Sequence, residues 1–417
     1  MLMAIIERPD LDGILNVKWL LLYGRRKTGK TFYVRERGKY VRYFIVTRGS
    51  ELVDIGSGER LSPNEFIRLL PLLLKEGRIV IDEFHRLGEP FFSFLQGLSG
   101  RGELTLITST RHYFRKLMGE NSPLPGLFHT HEVGLIKPGD ALNFLSSRGF
   151  AGKTLIELAV LLQEPLVAPM VESHGEKVPG VLGTALKDYI PGLVGEIFTE
   201  EERELTGRYW AILEAIADGK LSSEEITGEL FSKGLIESAS PGAVAPYLET
   251  LVGMGLLERI SVFGKKRKIY RYRHVSPLVD FAYYLNAKYG FFEAGLPPKK
   301  VEELLRERLP HYVEVFFERL LSQHYGLQPV RVERPELELD VALVEHKRLR
   351  LVAEVKWKNK IKKQDIRKAE DKFDKAGAET NLLIVPDKGL LPEKPGNAVA
   401  FDWRDALALA GVAKVPV

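Results

Sequence analysis

Short apolar runs alternate with helical stretches between about residue 17 and residue 150. The runs are rich in Val, Ile, Leu and Tyr and cover residues 18–23, 43–47, 78–82, 103–108 and 131–136. Ser62-Pro63-Asn64-Glu65 has the pattern of a helix start, with Ser at the cap, Pro at the first helical position and Glu three residues after the cap. This alternation predicts a parallel sheet with helices on its faces.

The pattern changes after residue 205. Segments 208–218, 222–231 and 241–254 have the spacing of short helices, and segments 256–262 and 268–274 read as two strands around a basic turn. Helices followed by a two-stranded hairpin are the outline of a winged helix-turn-helix. The last part of the chain is predicted to be a second α/β unit, with a helix near 312–325, strands at 330–332, 337–344, 349–357, 380–385 and 398–401, and a lysine-rich helix.

These patterns divide the chain into five segments. Residues 1–150 are predicted to form the first α/β domain and residues 151–205 a helical lid or linker. The winged helix follows at 206–275, then a helical connector at 276–309 and the second α/β domain at 310–417. A length of 417 residues is consistent with two or three cores.

Composition narrows the class of protein. The absence of cysteine excludes disulfides and thiolate chemistry. No apolar run reaches the roughly 20 residues that a bilayer requires, so we expect a cytoplasmic protein without membrane contacts. The net charge of +4 is too small to indicate nucleic acid unless the cations cluster.

Residues 24–31 match the phosphate-binding pattern GxxxxGK[ST] directly after a predicted strand. Glycines let the backbone N–H groups face phosphates, and the following helix adds a positive dipole. We expect Lys30 to reach the β- and γ-phosphates of ATP and the Thr31 hydroxyl to bind Mg²⁺. The predicted ATP-binding residues of the loop are Gly24, Arg25, Arg26, Lys27, Thr28, Gly29, Lys30 and Thr31.

The apolar strand at 78–82 ends in two carboxylates, Asp82 and Glu83. We expect Asp82 to hold Mg²⁺ together with Thr31, and Glu83 to polarise the attacking water. Thr108-Ser109-Thr110 ends the next strand and either senses the γ-phosphate or caps the following helix. Arg111 and Arg115 are either arginine fingers or solvated surface residues.

A second group of charges lies in the C-terminal unit. Glu354 and Lys356 are two residues apart, so they project from one face of a strand. If strands 337–344 and 349–357 form a hairpin turning at residues 346–348, Asp340 lies opposite Glu354, with Cβ atoms about 5 Å apart. Such a group suits a divalent metal and phosphodiester cleavage, with Glu318 of the preceding helix as a further ligand. The alternative is a surface hairpin with an ordinary Glu–Lys pair.

Cations cluster in two places. The predicted wing carries Lys265, Lys266, Arg267, Lys268, Arg271 and Arg273, and the segment after the second carboxylate group carries Lys356, Lys358, Lys360, Lys362, Lys363, Arg367 and Lys368. A charge run is often only a solvated face. Because both clusters adjoin modules typical of DNA-associated proteins, we expect binding to duplex or branched DNA.

The motifs GRRKTGKT, IVIDEFHRL and LITSTR resemble those of archaeal AAA+/STAND P-loop ATPases. TLVGMGLLERI and KIYRYRHVSPLVDFAYYL resemble the winged helix and connector of the C-terminal extension in that family. The resemblance implies a homo-oligomer, because such ATPases often complete their sites between subunits. One departure is Gln163-Glu164-Pro165, where relatives carry Gly-x-Pro. The order helix-Glu, strand-Asp, strand-ExK, helix resembles the PD-(D/E)XK nuclease superfamily.

Together these features predict an ATP-hydrolysing, DNA-associated protein with a Mg²⁺-dependent nuclease domain. The predicted catalytic residues are Glu83 for ATP hydrolysis and Asp340, Glu354 and Lys356 for DNA cleavage. Two alternatives remain. One is a STAND-like nucleotide switch whose winged helix regulates transcription and whose nuclease fold is inactive. The other is a protein-remodelling ATPase whose basic faces serve solubility.

Overall fold

The structure, a computed structural model, describes residues 5–98, 100–111, 114, 126–201 and 203–411. Its first sheet has seven strands in the order β4-β3-β2-β5-β6-β1-β7. The strands are β1 (Trp19–Tyr23), β2 (Arg42–Val46), β3 (Leu52–Asp54), β4 (Arg60–Leu61), β5 (Arg78–Asp82), β6 (Glu103–Thr108) and β7 (His129–Glu132).

Strands β2, β5, β6, β1 and β7 run parallel, whereas β3 and β4 extend the β2 edge as an antiparallel meander. The carboxyl ends of the parallel strands therefore meet at one edge of the sheet. Strand β6 separates β1 from β5, which places the end of β6 between the phosphate-binding loop and the carboxylates of β5. The parallel sheet predicted from the alternating pattern is confirmed.

Helices α1 (Pro9–Asp12), α2 (Lys30–Arg37), α3 (Pro63–Glu76) and α4 (Glu89–Gly97) cover this sheet. Alternate residues of β1 are buried on opposite faces: Leu21 packs in the core formed with α3 and α4, and Leu22 in the core formed with α2. Helix α3 starts as predicted, because Ser62 and Glu65 each accept a hydrogen bond from the other's backbone N–H.

The next described helices are α5 (Pro138–Ser146), α6 (Gly152–Leu162), α7 (Val167–His174) and α8 (Val178–Glu200). The last three fall in the segment predicted as a helical lid or linker, which we call the lid segment. Helix α8 packs closely against the helix Pro298–Tyr325 of the C-terminal half. At Gly183, an added Cβ would lie 3.0 Å from the side chain of Val301. None of the described helices is long and apolar enough to cross a membrane.

The winged helix contains α9 (Gly207–Ala217), α10 (Ser223–Ser232) and α11 (Ala245–Gly253), followed by β8 (Leu257–Val262) and β9 (Tyr270–His274). The third predicted helix is divided, because a short 3₁₀ turn at Pro241–Ala243 precedes α11. Strands β8 and β9 form the antiparallel wing, with Leu257 opposite His274. The arrangement agrees with the winged helix predicted from the pattern.

The remaining helices are α12 (Pro277–Tyr289), α13 (Phe291–Ala294), α14 (Pro298–Tyr325), α15 (Lys363–Ala376) and α16 (Trp403–Gly411). The remaining strands are β10 (Gln328–Arg331), β11 (Glu333–Arg334), β12 (Leu337–Glu338), β13 (Val341–Glu345), β14 (Arg348–Val355), β15 (Thr380–Ile384) and β16 (Val399–Phe401). Helix α14 is 28 residues long and runs through the predicted boundary between residues 309 and 310. The connector and the C-terminal unit are therefore joined by one continuous helix.

The wing and the C-terminal unit share one sheet, in the order β16-β15-β14-β13-β10-β8-β9. Strand β8 pairs in parallel with β10, with Val330 opposite Ser261, and β10 pairs with β13. The sequence did not predict this pairing. As a result, the wing and the β13–β14 hairpin project from the same sheet.

The β13–β14 hairpin has the predicted register near Asp340, because Val341 lies opposite Ala353. The turn is one residue shorter than predicted. Within the turn, His346 and Lys347 adopt positive φ, as in a two-residue hairpin turn. A register shift at Leu343/Val344 compensates for the missing turn residue. Asp340 lies between the end of β12 and the start of β13. Its Oδ2 accepts a 2.8 Å hydrogen bond from the backbone N–H of Val355.

Candidate nucleotide site and acidic hairpin site

The phosphate-binding loop connects β1 to α2, and its curvature depends on left-handed residues. Lys27 has φ 63° and Gly29 has φ 90°, so successive N–H groups face one concavity. Gly24 is required by a close approach, because an added Cβ would lie 2.3 Å from the carbonyl oxygen of Val133. The loop therefore has the shape that an anion needs.

Lys30 is buried at the first position of α2. Its Nζ donates to the carbonyl oxygens of Gly24 at 2.9 Å and Arg25 at 2.8 Å. Burial lowers the pKa of Lys30 to about 8, although the charges of Glu83 and Asp82 oppose this effect. A bound polyphosphate would supply the counter-charge that favours the ammonium form.

Thr31 and Asp82 meet across the sheet edge. The Thr31 hydroxyl donates to Asp82 Oδ2 at 2.6 Å, and the Tyr43 hydroxyl donates to the same oxygen at 2.7 Å. Burial and the charge of Glu83 raise the pKa of Asp82, so a cation at this position would stabilise the carboxylate. A hydroxyl and a carboxylate oxygen at this distance are hard ligands that fit Mg²⁺.

Glu83 follows β5 in a left-handed conformation, with φ 57°. A non-glycine residue in this region costs on the order of 1–3 kcal/mol, and such residues cluster at functional sites. Its carboxylate accepts hydrogen bonds from the Ser109 backbone N–H at 3.1 Å and from the Ser109 hydroxyl at 2.5 Å. The polar end of β6 therefore positions Glu83, a role that the sequence did not predict for Ser109.

Carboxylates of the lid helix α8 lie over the loop. Arg26 forms ion pairs with Glu196 at 2.7 Å and Glu200 at 3.0 Å, and it lies 3.8 Å from Glu83. Arg86 also pairs with Glu200, at 2.8 Å. Sequence reasoning missed both lid carboxylates, because they lie more than 160 positions away from Arg26 and no motif marks them.

Burial alone would raise the pKa of Glu200. Hydrogen bonds from His85 and Arg86, together with the charges of Arg86 and Arg26, outweigh burial and lower this pKa to about 2. The ligand atoms of Glu83, His85 and Glu200 lie within 4.8 Å of one another, a spacing that a metal ion could use. Because two arginines already compensate Glu200, we assign it to holding the lid.

A buried ion pair connects the loop to the lid. Arg25 lies 2.6 Å from Glu164, and both side chains are almost fully buried. The preceding residue, Gln163, accepts a 3.0 Å hydrogen bond from Arg319 of α14, and Arg319 pairs with Glu258 of the wing strand β8 at 2.6 Å. The segment that departs from Gly-x-Pro therefore links the loop to the winged helix through the side chains of Glu164 and Gln163.

Arg111 was predicted to be an arginine finger or a solvated residue, and the structure places it differently. Its Nε lies 2.6 Å from a carboxylate oxygen of Glu132, and its guanidinium donates to the carbonyl oxygen of Val252 in α11 at 3.2 Å. The side chain thus connects the first sheet to the winged helix. Arg115 lies outside the described residues.

A cavity of about 300 Å³ opens beside the loop. Its lining is mostly apolar and combines the loop residues Lys27, Thr28 and Gly29 with Ile6, Phe32, Ile136, Pro165 and Tyr189. The volume falls within the range of small-molecule sites. The sequence did not reveal this cavity.

The structure brings Asp340, Glu354 and Lys356 together. The Lys356 Nζ lies 2.7 Å from Glu354 Oε2 and 3.6 Å from Asp340 Oδ2. Burial opposes protonation, but the charges of Glu354 and Asp340 raise the pKa of Lys356. Lys372 of α15 binds the other oxygen of Glu354 at 2.8 Å. The three predicted side chains therefore converge, with a second lysine beside them.

Glu318 is not part of this group. Its buried carboxylate pairs with Arg273 of the wing, which also binds Glu258 at 2.8 Å. Glu314, one turn earlier in α14, lines a cavity together with Asp340, and burial and the charge of Asp340 raise the pKa of Glu314. The structure therefore places Glu314, and not the predicted Glu318, beside Asp340.

A GxxxxGK[ST] loop between a strand and a helix, facing a carboxylate-ended strand across one intervening strand, is the arrangement of P-loop nucleotide-binding proteins. No protein-family model matches the chain, and no curated protein is significantly similar to it. The likeness to P-loop nucleotide-binding proteins therefore rests on the fold and on the geometry of the site.

Solved structures with similar folds include the Orc1 protein of Aeropyrum pernix in complex with DNA, with 17% identity, a TM-score of 0.32, and coverage of 66% of this chain and 90% of that chain. The ORC2 protein of Aeropyrum pernix, in ADPNP–ADP complexes, has 13% identity, a TM-score of 0.38 and coverage of 72% and 90%. Cdc6p of Pyrobaculum aerophilum has 15% identity, a TM-score of 0.26 and coverage of 72% and 92%. Likenesses this low assign neither a family nor a function to the chain.

Proposed function

We propose that the protein binds and hydrolyses ATP with Mg²⁺, and that it acts on DNA. The observation that carries the ATPase proposal is the contact of Thr31 with Asp82 at 2.6 Å, directly beside the buried Lys30. Thr31 and Asp82 would hold Mg²⁺, which neutralises charge on the phosphates. Lys30 would bind the β- and γ-phosphates, and Glu83 would orient the attacking water.

The apolar cavity beside the loop supports a nucleoside triphosphate as the ligand. The loop residues Lys27 to Gly29 line this cavity as well as the phosphate concavity, so one molecule can occupy both. Pro165 and Tyr189 belong to the lid segment, which means that the base would contact the lid directly. Nucleotide binding would therefore stabilise the lid over the loop.

The wing supports DNA as a partner. Lys265, Lys266, Arg267 and Lys268 are exposed at its tip, and no ion pair engages them within the described part of the chain. The other two cations of the predicted cluster are paired internally, Arg271 with Glu333 and Arg273 with Glu258. We therefore assign phosphate contacts to the tip rather than to the whole wing.

The convergence of Asp340, Glu354 and Lys356 supports metal-dependent cleavage of DNA phosphodiesters. The two carboxylates would hold the metal, with Glu314 as an additional acidic group, and Lys356 would orient the attacking water. Magnesium would supply charge neutralisation at the phosphate.

One observation favours the alternative, in which this fold is an inactive part of a nucleotide switch. Lys356 and Lys372 each bind one carboxylate oxygen of Glu354, and the Glu354 side chain is only 1% exposed. A metal would have to displace at least one lysine to reach Glu354. The polar contacts from Arg25 through Glu164, Gln163 and Arg319 to the wing supply a route by which nucleotide could act on the winged helix.

Lys30→Ala is expected to weaken ATP binding about ten- to hundredfold, because hydrogen bonds to charged groups contribute about 1.5–3 kcal/mol. Calorimetry with a non-hydrolysable ATP analogue and Mg²⁺ measures this loss. Lys39→Ala, which removes an exposed lysine near α2, is the matched control. Equal affinity of Lys30→Ala and the unmodified protein would contradict the assignment of the loop.

Replacing Lys265, Lys266 and Arg267 together with alanine is expected to flatten the salt dependence of duplex binding. Each phosphate contact contributes about −0.9 to the slope of log K against log salt, so the slope should change by about two to three units. Fluorescence anisotropy with a labelled duplex at several salt concentrations measures the slope. If the slope does not change, the wing tip does not contact phosphates.

A further inference from the structure

A groove of about 940 Å³ lies between the wing and the β13–β14 turn. The wing wall includes Lys265, Lys268 and Tyr270, and the opposite wall includes His346 and Lys347. Strand β10 lies between the walls, because it pairs with β8 on one side and β13 on the other. The groove is therefore built into one continuous sheet, which fixes the separation of its walls.

Both walls carry cations without compensation. Lys265, Lys268 and Lys347 are exposed, and the structure places no acidic partner within ion-pair distance of them among its described residues. Glu345 is the one acidic side chain among the described lining residues, and Arg350 lies 3.4 Å from it. Like charges on facing walls repel each other, and an anion that runs between them would relieve this repulsion.

The groove also offers aromatic surfaces. Tyr270 and Phe263 line the wing wall and are only partly buried. A cationic groove with aromatic side chains is the combination that holds single-stranded nucleic acid, because bases stack on the rings while cations follow the phosphates. Strands β8 and β13 flank β10 on its two sides, so the groove is about two strand spacings, roughly 10 Å, wide at its floor, whereas the major groove of a duplex alone is about 12 Å wide. The groove therefore suits one strand.

The third helix of the winged helix does not offer a competing surface. Helix α11 reads Ala-Pro-Tyr-Leu-Glu-Thr-Leu-Val-Gly and contains no cation. Near its end, the carbonyl oxygen of Val252 accepts a hydrogen bond from Arg111, so this helix faces the first domain. The wing and the groove beside it therefore carry the cationic surface that nucleic acid would contact.

We propose that the groove between the wing and the β13–β14 turn holds a single strand of DNA. The proposal rests on the proposed DNA binding and makes it more specific: Lys265, Lys266 and Arg267 of the wing tip contact duplex phosphates, and the groove receives a strand that has left the duplex. Lys268 and Lys347 bind the backbone of this strand from opposite sides, and Tyr270 stacks on a base.

The test uses the full-length chain, a labelled oligothymidine and a labelled duplex of equal length. Lys347→Asn removes one wall cation, and asparagine tolerates the left-handed conformation of this turn residue. We expect the salt slope for the single strand to flatten by about 0.7 units, with no change for the duplex. Lys299→Asn, at an exposed lysine of α14, should change neither slope.

Tyr270→Leu is expected to weaken binding of the single strand about five- to hundredfold without changing the salt slope, because stacking and not charge is lost. Tyr270→Phe keeps the ring and should bind like the unmodified protein, and circular dichroism of both variants checks the fold. An unchanged single-strand slope for Lys347→Asn, or duplex binding without oligothymidine binding, would overturn the groove proposal and leave DNA binding intact. Failure to bind either probe would remove the proposed DNA function itself.

Discussion

Glu83→Gln is expected to bind ATP like the unmodified protein and to hydrolyse it about a hundredfold to ten-thousandfold more slowly. The glutamine keeps the shape and can still accept a hydrogen bond from Ser109, but it lacks the charge that we propose orients and activates the water. Steady-state phosphate release measures hydrolysis, and calorimetry with ATP and Mg²⁺ measures affinity. The expected pattern is a loss of kcat with nearly constant binding.

Glu89→Gln is a suitable control, since Glu89 is exposed at the start of α4, six residues from Glu83. It should hydrolyse ATP normally. Hydrolysis by Glu83→Gln at the rate of the unmodified protein would show that another group activates the water, with the neighbouring His85 and Glu200 as the next side chains to change.

The geometry of the candidate nucleotide site could be predicted from sequence because its parts are local. Gly24 to Thr31 form one continuous segment, and the spacing of residues within it determines where Lys30 and Thr31 point. The apolar strand before Asp82 likewise indicates that this carboxylate lies at the carboxyl end of a strand. Contacts such as that between Thr31 and Asp82, at 2.6 Å, follow from these local patterns and the parallel sheet.

The partners that come from distant parts of the chain could not be predicted. Glu200 contacts Arg26 because helix α8 folds back over the loop, and neither residue belongs to a motif that mentions the other. The cavity beside the loop depends in the same way on Ile6 and Tyr189, which come from opposite ends of the N-terminal half. Such contacts depend on how the helices pack, and single-sequence periodicity does not contain this information.

The shared sheet shows a second limit of pattern reasoning. Alternating apolar residues predict that β8 and β10 are strands, but they do not indicate which strands are neighbours. The parallel pairing of Val330 with Ser261 joins segments that are separated by two helical elements and the whole of α14. The hairpin near Asp340 was easier to predict, because a short turn connects its strands and restricts their register.

Glu318 and Glu314 show that the helical repeat does not by itself decide which side chain of a helix reaches a site. Both lie in α14, and residues four apart share one side of a helix only approximately. Arg273 of the wing attracts Glu318, and this cation is brought close only by the shared sheet. The predicted ligand was therefore displaced by a contact between segments that the sequence analysis had treated as separate domains.

Asp340→Asn is expected to reduce Mg²⁺-dependent DNA cleavage about a hundredfold or more and to leave ATP hydrolysis unchanged. The substitution would remove a charged ligand from the proposed metal, which would contribute several kcal/mol to catalysis, and the candidate nucleotide site lies in another domain. The variant is suited to the test because the amide oxygen can still accept the hydrogen bond from Val355, which preserves the local backbone. Cleavage of branched, linear and single-stranded DNA with Mg²⁺ or Mn²⁺ measures the effect.

Lys356→Met separates the role of the lysine from that of the metal ligands. An ammonium group cannot bind a cation, and Lys356 occupies Glu354 Oε2 at 2.7 Å, so its removal should preserve or strengthen metal binding while cleavage is lost. Calorimetry with Mn²⁺ measures the binding, and EDTA should abolish cleavage by the unmodified protein. If Asp340→Asn and Lys356→Met both cleave DNA normally, these side chains do not form a nuclease site. If the unmodified protein binds DNA and hydrolyses ATP but never cleaves, the nuclease proposal is wrong and the nucleotide-switch alternative is favoured.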